Sequence, residues 1–185
     1  MPAPDLTFQL LDGGQAAEHA DELAALHAEA YAGPPGREDG DAAEFASRFR
    51  VQRRQPGFVL AEARSGGYLV GYASGMPLRP STSWWRDLTT PLPDEVTAEH
   101  PGRTFALVQL LVRPSWRRQG IAGTLHHMIL ADRTEERATA TVPSAATPAQ
   151  GAFQTWGWRK VARTRDPRAG SRASDVLLLP LPANR

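Results

Sequence analysis

The stretch "LVQLLVRPSWRRQGIAG", residues 107–123, decides the fold. With the three residues before it, the run "TFALVQLLV" over 104–112 is apolar on both alternating faces. That pattern suits a central strand covered on both sides. The polar side chain inside 107–112 is an amide, Gln109. Arg113, Pro114, Arg117, Arg118 and Gly120 follow. From Gly120 to about Arg133, the residues Ile121, Leu125, Met128 and Ile129 fall at i, i+4, i+7 and i+8, which predicts a helix. A strand that runs through a basic turn into a helix is suited to an anion. The first turn of a helix has N–H groups without internal partners, and the macrodipole adds partial positive charge there. Phosphate oxygens satisfy both. Gly120 has no Cβ to hold a ligand away from the backbone, and Arg117 and Arg118 add charge to a patch that Arg113 extends. The order Arg117-Arg118-Gln119-Gly120-Ile121-Ala122 is neither G-x-x-x-x-G-K nor G-x-G-x-x-G.

Working outward, residues 6–11 read as a strand ended by Asp12-Gly13-Gly14, and 16–31 as a helix stopped by Gly33-Pro34-Pro35-Gly36. A second helix is expected over 41–54, with Asp39 or Asp41 as its cap. Residues 58–64 and 68–76 flank Ser65-Gly66-Gly67 and predict a hairpin. Residues 77–103, rich in Pro, Ser, Thr and Asp, read as a long functional loop carrying Trp84 and Trp85. After the central strand and its helix come a strand at 138–142 and a helix at about 148–156. That helix is capped by Thr147, begins with Pro148 and is ended by Gly157. Two strands close the chain, 158–163 and 175–181. The expectation is a mixed α/β domain.

Composition narrows the function. A chain of 185 residues is long enough for one domain with a core, and 41% of it is apolar. The 21 basic and 20 acidic residues leave a net charge of +1, which argues against a nucleic-acid partner. There is no cysteine, so disulfides, a cysteine nucleophile and thiolate metal sites are excluded. "MPAPDLTF" has no basic segment followed by an apolar one, and no apolar run reaches the length of a membrane span. A cytoplasmic protein without membrane contact is expected.

Arg117-Arg118-Gln119-Gly120-Ile121-Ala122 matches Q/R-x-x-G-x-G/A, and Val112-x-Pro114-x-Trp116-Arg117 has the spacing of a strand entering that loop. Ala149-x-x-x-Phe153-x-x-x-Gly157-Trp158 is similar to a later A-x-x-x-Y-x-x-x-G-F helix. In these motifs and in its element order the chain resembles the GCN5-related N-acetyltransferases (GNAT) over roughly residues 6–182. The resemblance implies a single domain with a loop insertion at about 77–103. Its fold would be a mixed central sheet of six or seven strands, splayed at the middle and flanked by about four helices. It implies acetyl-CoA as co-substrate, no metal, and transfer of the acyl group to a small-molecule amine by direct attack in a ternary complex. A homodimer is compatible with it. Backbone groups of Leu110, Leu111 and Val112 would pair with the pantetheine arm. The segment Arg117, Arg118, Gln119, Gly120, Ile121, Ala122 and Gly123 would hold the pyrophosphate. The Leu111 and Val112 amides would face the acyl oxygen.

The sequence departs from that family at three positions. Gln109 stands where many members have a Glu that acts as general base, and Phe153 where a Tyr protonates the leaving thiolate. Ala146 stands where an Asn is common. Gln109 is therefore either a satisfied core amide or a group that positions water or acceptor. Phe153 reads as core. Asp87, Glu95, His100 and Glu62 are poor substitutes for the base, and Ser144 and Thr147 are too weakly basic. His126 and His127 read as solvated side chains. Trp84 and Trp85 would form an aromatic wall for the acceptor or anchor their loop, and Tyr31 would border the acceptor or staple a turn. The missing helpers keep a second reading open: a degenerate module that binds CoA thioesters without turning them over.

Overall fold

The computed structural model describes residues 5–32, 42–165 and 173–183. The Gly33-Pro34-Pro35-Gly36 stop and the Asp39 or Asp41 cap lie outside the described residues. Among the described residues there are seven strands: β1 (Leu6–Asp12), β2 (Val59–Ser65), β3 (Tyr68–Pro77), β4 (Thr104–Val112), β5 (Arg137–Pro143), β6 (Arg159–Arg165) and β7 (Ala173–Pro180). The helices are α1 (Ala20–Tyr31), α2 (Ala42–Gln52), α3 (Asp94–Thr97), α4 (Ile121–Leu130) and α5 (Thr147–Thr155). The strands form a mixed sheet in the order β1-β2-β3-β4-β5-β7-β6. No helix among the described residues is long and apolar enough to cross a membrane. The chain divides into two compact units, and the division falls inside β4 between Leu107 and Val108.

The first unit holds β1 to β3 (as far as Met76), the second half of β4 and α4. β1, β2 and β3 pair antiparallel in chain order. The hairpin falls where the sequence put it, because Gly66 and Gly67 both take positive φ, 54° and 82°. A two-residue turn with two such residues matches the twist of its strands. The helix expected at 16–31 opens instead with a 3-10 turn, Gln15–His19. Asp12 holds this turn, accepting from the Gly14 and Gln15 N–H groups at 2.9 Å each. Leu23 and Leu26 of α1, Phe45 and Phe49 of α2, and Leu60, Leu69 and Tyr72 of the sheet form the core. On the other face, Gly71 lets α4 seat closely. A Cβ there would lie 3.1 Å from the Leu111 carbonyl oxygen, 3.2 Å from Ile121 and 3.3 Å from Leu125.

The second unit holds the first half of β4, β5, β6, β7 and α5. β4 runs parallel to β5, with Thr104 opposite Arg137 and Leu107 opposite Ala140. β7 lies antiparallel to both β5 and β6. α5 begins at Thr147, so Thr147 is its first residue and not its cap; Ala146 holds the capping position and no side chain caps it. Its end follows the expectation. Gly157 takes φ 88°, its N–H reaches the Gln154 carbonyl at 3.1 Å, and the Trp158 N–H reaches that of Phe153 at 3.1 Å. The Phe153 and Trp158 rings, 5.3 Å apart, supply the apolar contact that accompanies this type of helix end.

Residues 77–103 are more ordered than a loop reading suggests. Besides α3, they are tied down by both tryptophans. The Trp84 indole donates to Thr139 Oγ1 at 3.2 Å and the Trp85 indole to Glu99 Oε1 at 3.0 Å. That carboxylate also accepts from Thr104 at 2.9 Å and Arg137 at 3.0 Å.

Candidate active site

The second half of β4 loses its cover. Thr104 to Leu107 are buried, Val108 to Leu111 are half-buried, and Val112 is buried again. Gln109, Leu110 and Leu111 therefore lie in the open part of an otherwise covered strand. The Arg113 N–H, just past its end, donates to Val70 O at 2.9 Å. The Gln109 side chain is half-buried, and its amide makes no hydrogen bond among the described residues.

The basic patch divides into three roles. Arg113 is buried, at 6% exposure. Its Nε donates to Leu69 O at 2.7 Å, its Nη1 is paired with the Glu29 carboxylate, and its guanidinium lies 4.4 Å from the centre of the Tyr68 ring. It is a structural arginine and not part of an open patch. Arg117 is exposed, but its guanidinium is partly committed: Nε donates to Val112 O at 3.1 Å and Nη2 to Ala30 O at 3.4 Å. Arg118 is exposed, and its side chain has no partner among the described residues.

The turn itself is unusual in its backbone. Arg118 has φ 64°, the one positive value at a non-glycine among the described residues, and Gly120 has φ 79°. Nothing lies within 4 Å of where a Gly120 Cβ would project, so glycine is required there by conformation and leaves open space outside it. Ile121 is buried and anchors the helix, while Ala122 and Gly123 are half-exposed. No side chain caps α4, and the first bond that closes it is Thr124 N–H to Gly120 O, 3.1 Å. From Arg118 through Gly123, no backbone N–H has an acceptor among the described residues. Successive N–H groups in such a turn form an anion-binding concavity. Gln119 is exposed within it.

His126 is buried rather than solvated, and burial, helped by the charge of His127, lowers its pKa to about 4. His127 is exposed. His27, beneath Tyr31 with ring centres 4.7 Å apart, is likewise lowered to about 4 by burial and by Arg48. Tyr31 is the last residue of α1 and is half-buried.

The other candidates for a base are occupied or exposed. Glu62 is fully buried. Burial alone would raise its carboxyl, but hydrogen bonds from Arg64, His19 and Gln9 outweigh it and hold the group below the ordinary value. Asp87 and Glu95 are exposed, and His100 sits 3.5 Å from Glu136 at the surface. Ser144 donates to Asp175 at 2.8 Å. Phe153 is buried against Trp156 and Trp158, as core. Among the described residues no three His, Asp or Glu side chains converge on a common metal position.

Sequence reasoning missed the Arg113–Glu29 pair. The pair joins residues 84 apart, and nothing local marks it.

Residues 20–158 match the family described as Acetyltransferase (GNAT) family. No curated protein matches the sequence. Among solved structures, the chain is similar to an acetyltransferase from Thermus thermophilus, with 17% identity and a TM-score of 0.65, covering 95% of this chain and 97% of that one. It is also similar to the ribosomal-protein-S18-alanine N-acetyltransferase from Escherichia coli, with 15% identity and a TM-score of 0.63, covering 97% and 96%. The aminoglycoside 6'-acetyltransferase type Ii is similar at 14% identity and a TM-score of 0.67, covering 97% and 99%. At these identities the likeness is one of fold. The family match covers well over half of the chain and includes the strand, basic turn and helix just described; the chain belongs to the GNAT acetyltransferase family.

Proposed function

We propose that the chain is an N-acetyltransferase, one catalytic domain over residues 6–182, that moves the acetyl group of acetyl-CoA to an amine of a small molecule by direct attack in a ternary complex. The run of N–H groups from Arg118 to Gly123 that have no acceptor among the described residues, with the open space beside Gly120, carries this reading. These groups suit a diphosphate in number and in sign. Leu110, Leu111 and Val112 would hold the pantetheine arm along the uncovered half of β4, and the Leu111 and Val112 amides would face the developing oxyanion. Arg118 would add charge at the diphosphate. The thioester supplies an activated acyl group with a weakly basic thiolate as leaving group. Tyr31 would border the acceptor. The setting is the cytoplasm, and a homodimer fits the family.

Gln109 cannot take a proton, so it would orient the acceptor or a water molecule. This selects the acceptor by its basicity. An amine of pKa about 10.4 is deprotonated in about one molecule in 2,500 at pH 7, a penalty of about 4.6 kcal/mol. An α-amino group of pKa about 7.7–8 loses only about 1–1.4 kcal/mol. The acceptor is therefore a weakly basic nitrogen: an α-amine, an aryl amine or a hydrazine-like group.

Gln109 and Phe153 also favour a second reading, a module that binds CoA thioesters without turnover. Thiol release from acetyl-CoA with a panel of amines separates the two. Release with aryl or α-amines, above that with alkyl amines, supports the enzyme; bound acetyl-CoA with no release supports the module. Gln109→Glu should raise turnover of an alkyl amine by about a hundredfold, the low end of general-base effects, and change that of an aryl amine little. An unchanged rate with both amines would place the base elsewhere.

A further inference from the structure

Both arginines that enter the turn hold the end of α1. Arg113 pairs with Glu29, and Arg117 donates to Ala30 O at 3.4 Å while its Nε stays on Val112 O at 3.1 Å. The last carbonyls of a helix lack partners within it. At this end of α1 the Ala32 N–H takes the Glu29 carbonyl at 3.2 Å, and a guanidinium from the turn takes that of Ala30. The planar fork of one guanidinium thus spans two backbone carbonyls, one closing β4 and one closing α1. Tyr31 is the next residue of the chain, and the His27 ring packs against it, tilted, one turn back.

We propose that Arg117 is a positioning residue that couples the diphosphate turn to the end of α1, so that filling the turn fixes where Tyr31 stands. The proposal rests on CoA binding at the turn. It assigns the phosphate contact to the backbone N–H groups and to Arg118, and assigns Arg117 to the link. Arg113 is buried and fixed by four groups, so it forms the static half of the junction. Arg117 is exposed, holds through two hydrogen bonds and forms the half that can respond. Lysine cannot replace it, because an ammonium is a point donor without the fork.

Hydrogen–deuterium exchange with coenzyme A as probe tests the link. In the wild-type chain, saturating coenzyme A should slow exchange in peptides covering 118–124. It should also slow exchange at 29–32 by about fivefold, the low end of coupling between linked sites. Arg117→Ala and Arg117→Lys should keep the protection at 118–124 and lose that at 29–32, while Arg118→Ala should weaken coenzyme A binding and keep both responses at saturation. Protection of 118–124 alone in the wild type overturns the coupling and leaves CoA binding standing. Protection of both segments in Arg117→Ala shows that Arg117 is not the link. No protection in either segment overturns the coupling together with the CoA site.

Discussion

α4 and α5 each follow a strand and a short turn, and neither has a side chain capping its start. They differ in the donors left over. Before α5, the Ala146 N–H is used by Pro143 O at 2.9 Å and the Thr147 N–H by Ala145 O at 3.0 Å. Pro148 has no N–H to offer, and the Gln150 side chain closes back on Val142 and Pro143 at 3.3 and 3.1 Å. Before α4, Arg118 and Gly120 take a left-handed φ, and no backbone N–H from Arg118 through Gly123 has an acceptor among the described residues. A helix start can receive an anion only when the turn before it leaves its donors free.

Acid should separate the two helices most. His126 in α4 and His27 in α1 are held neutral by burial, at about 4 against an ordinary 6.5. As pH falls the unfolded chain takes up these protons first. Their stability contribution is therefore complete above about pH 6.5 and is lost progressively towards pH 4. The loss is on the order of 3 kcal/mol for each histidine, read as a falling Tm across that window. α5 carries no histidine, and His126→Gln should remove about half of the fall, leaving the share of His27. A Tm independent of pH in this window would remove the buried-histidine account.

Next in size is Gly120→Val. A left-handed residue with a Cβ costs about 1–2 kcal/mol, and a β-branched one more. Acetyl-CoA affinity by calorimetry should fall at least about thirtyfold, since ~2 kcal/mol is that factor. Thr147→Ala, at the start of α5, should leave it unchanged. Equal losses would end the distinction between the helices. The smallest effect belongs to Arg118→Ala, about fivefold in affinity for an exposed charge worth ~1 kcal/mol. It should shrink as salt rises, and a loss insensitive to salt would mean that Arg118 acts through the backbone of the turn.

The parts legible in the sequence are those set by a residue's own dihedral angles or by a short period. Gly66-Gly67 turns the hairpin, Gly157 ends α5 and Gly120 opens α4, and in the structure each does so through a left-handed φ. The apolar run of β4 marked the central strand. Less legible were segments whose order comes from distant partners. The 77–103 segment reads as a loop, yet Trp84 and Trp85 find Thr139 and Glu99. Thr147 has the chemistry of a cap but falls one residue inside its helix.

The sequence by itself determined that a strand meets a basic, glycine-containing turn and a helix, because pleat, helical period and left-handed φ are local properties. The tertiary structure alone decided which charges remain available there. Arg113 lies beside Arg117 and Arg118 in the chain, but Glu29, Leu69 and Tyr68 bury it, and Arg117 is drawn to the end of α1. Charge is written in the residue; whether it is neutralised depends on which partner the fold brings within a few ångströms.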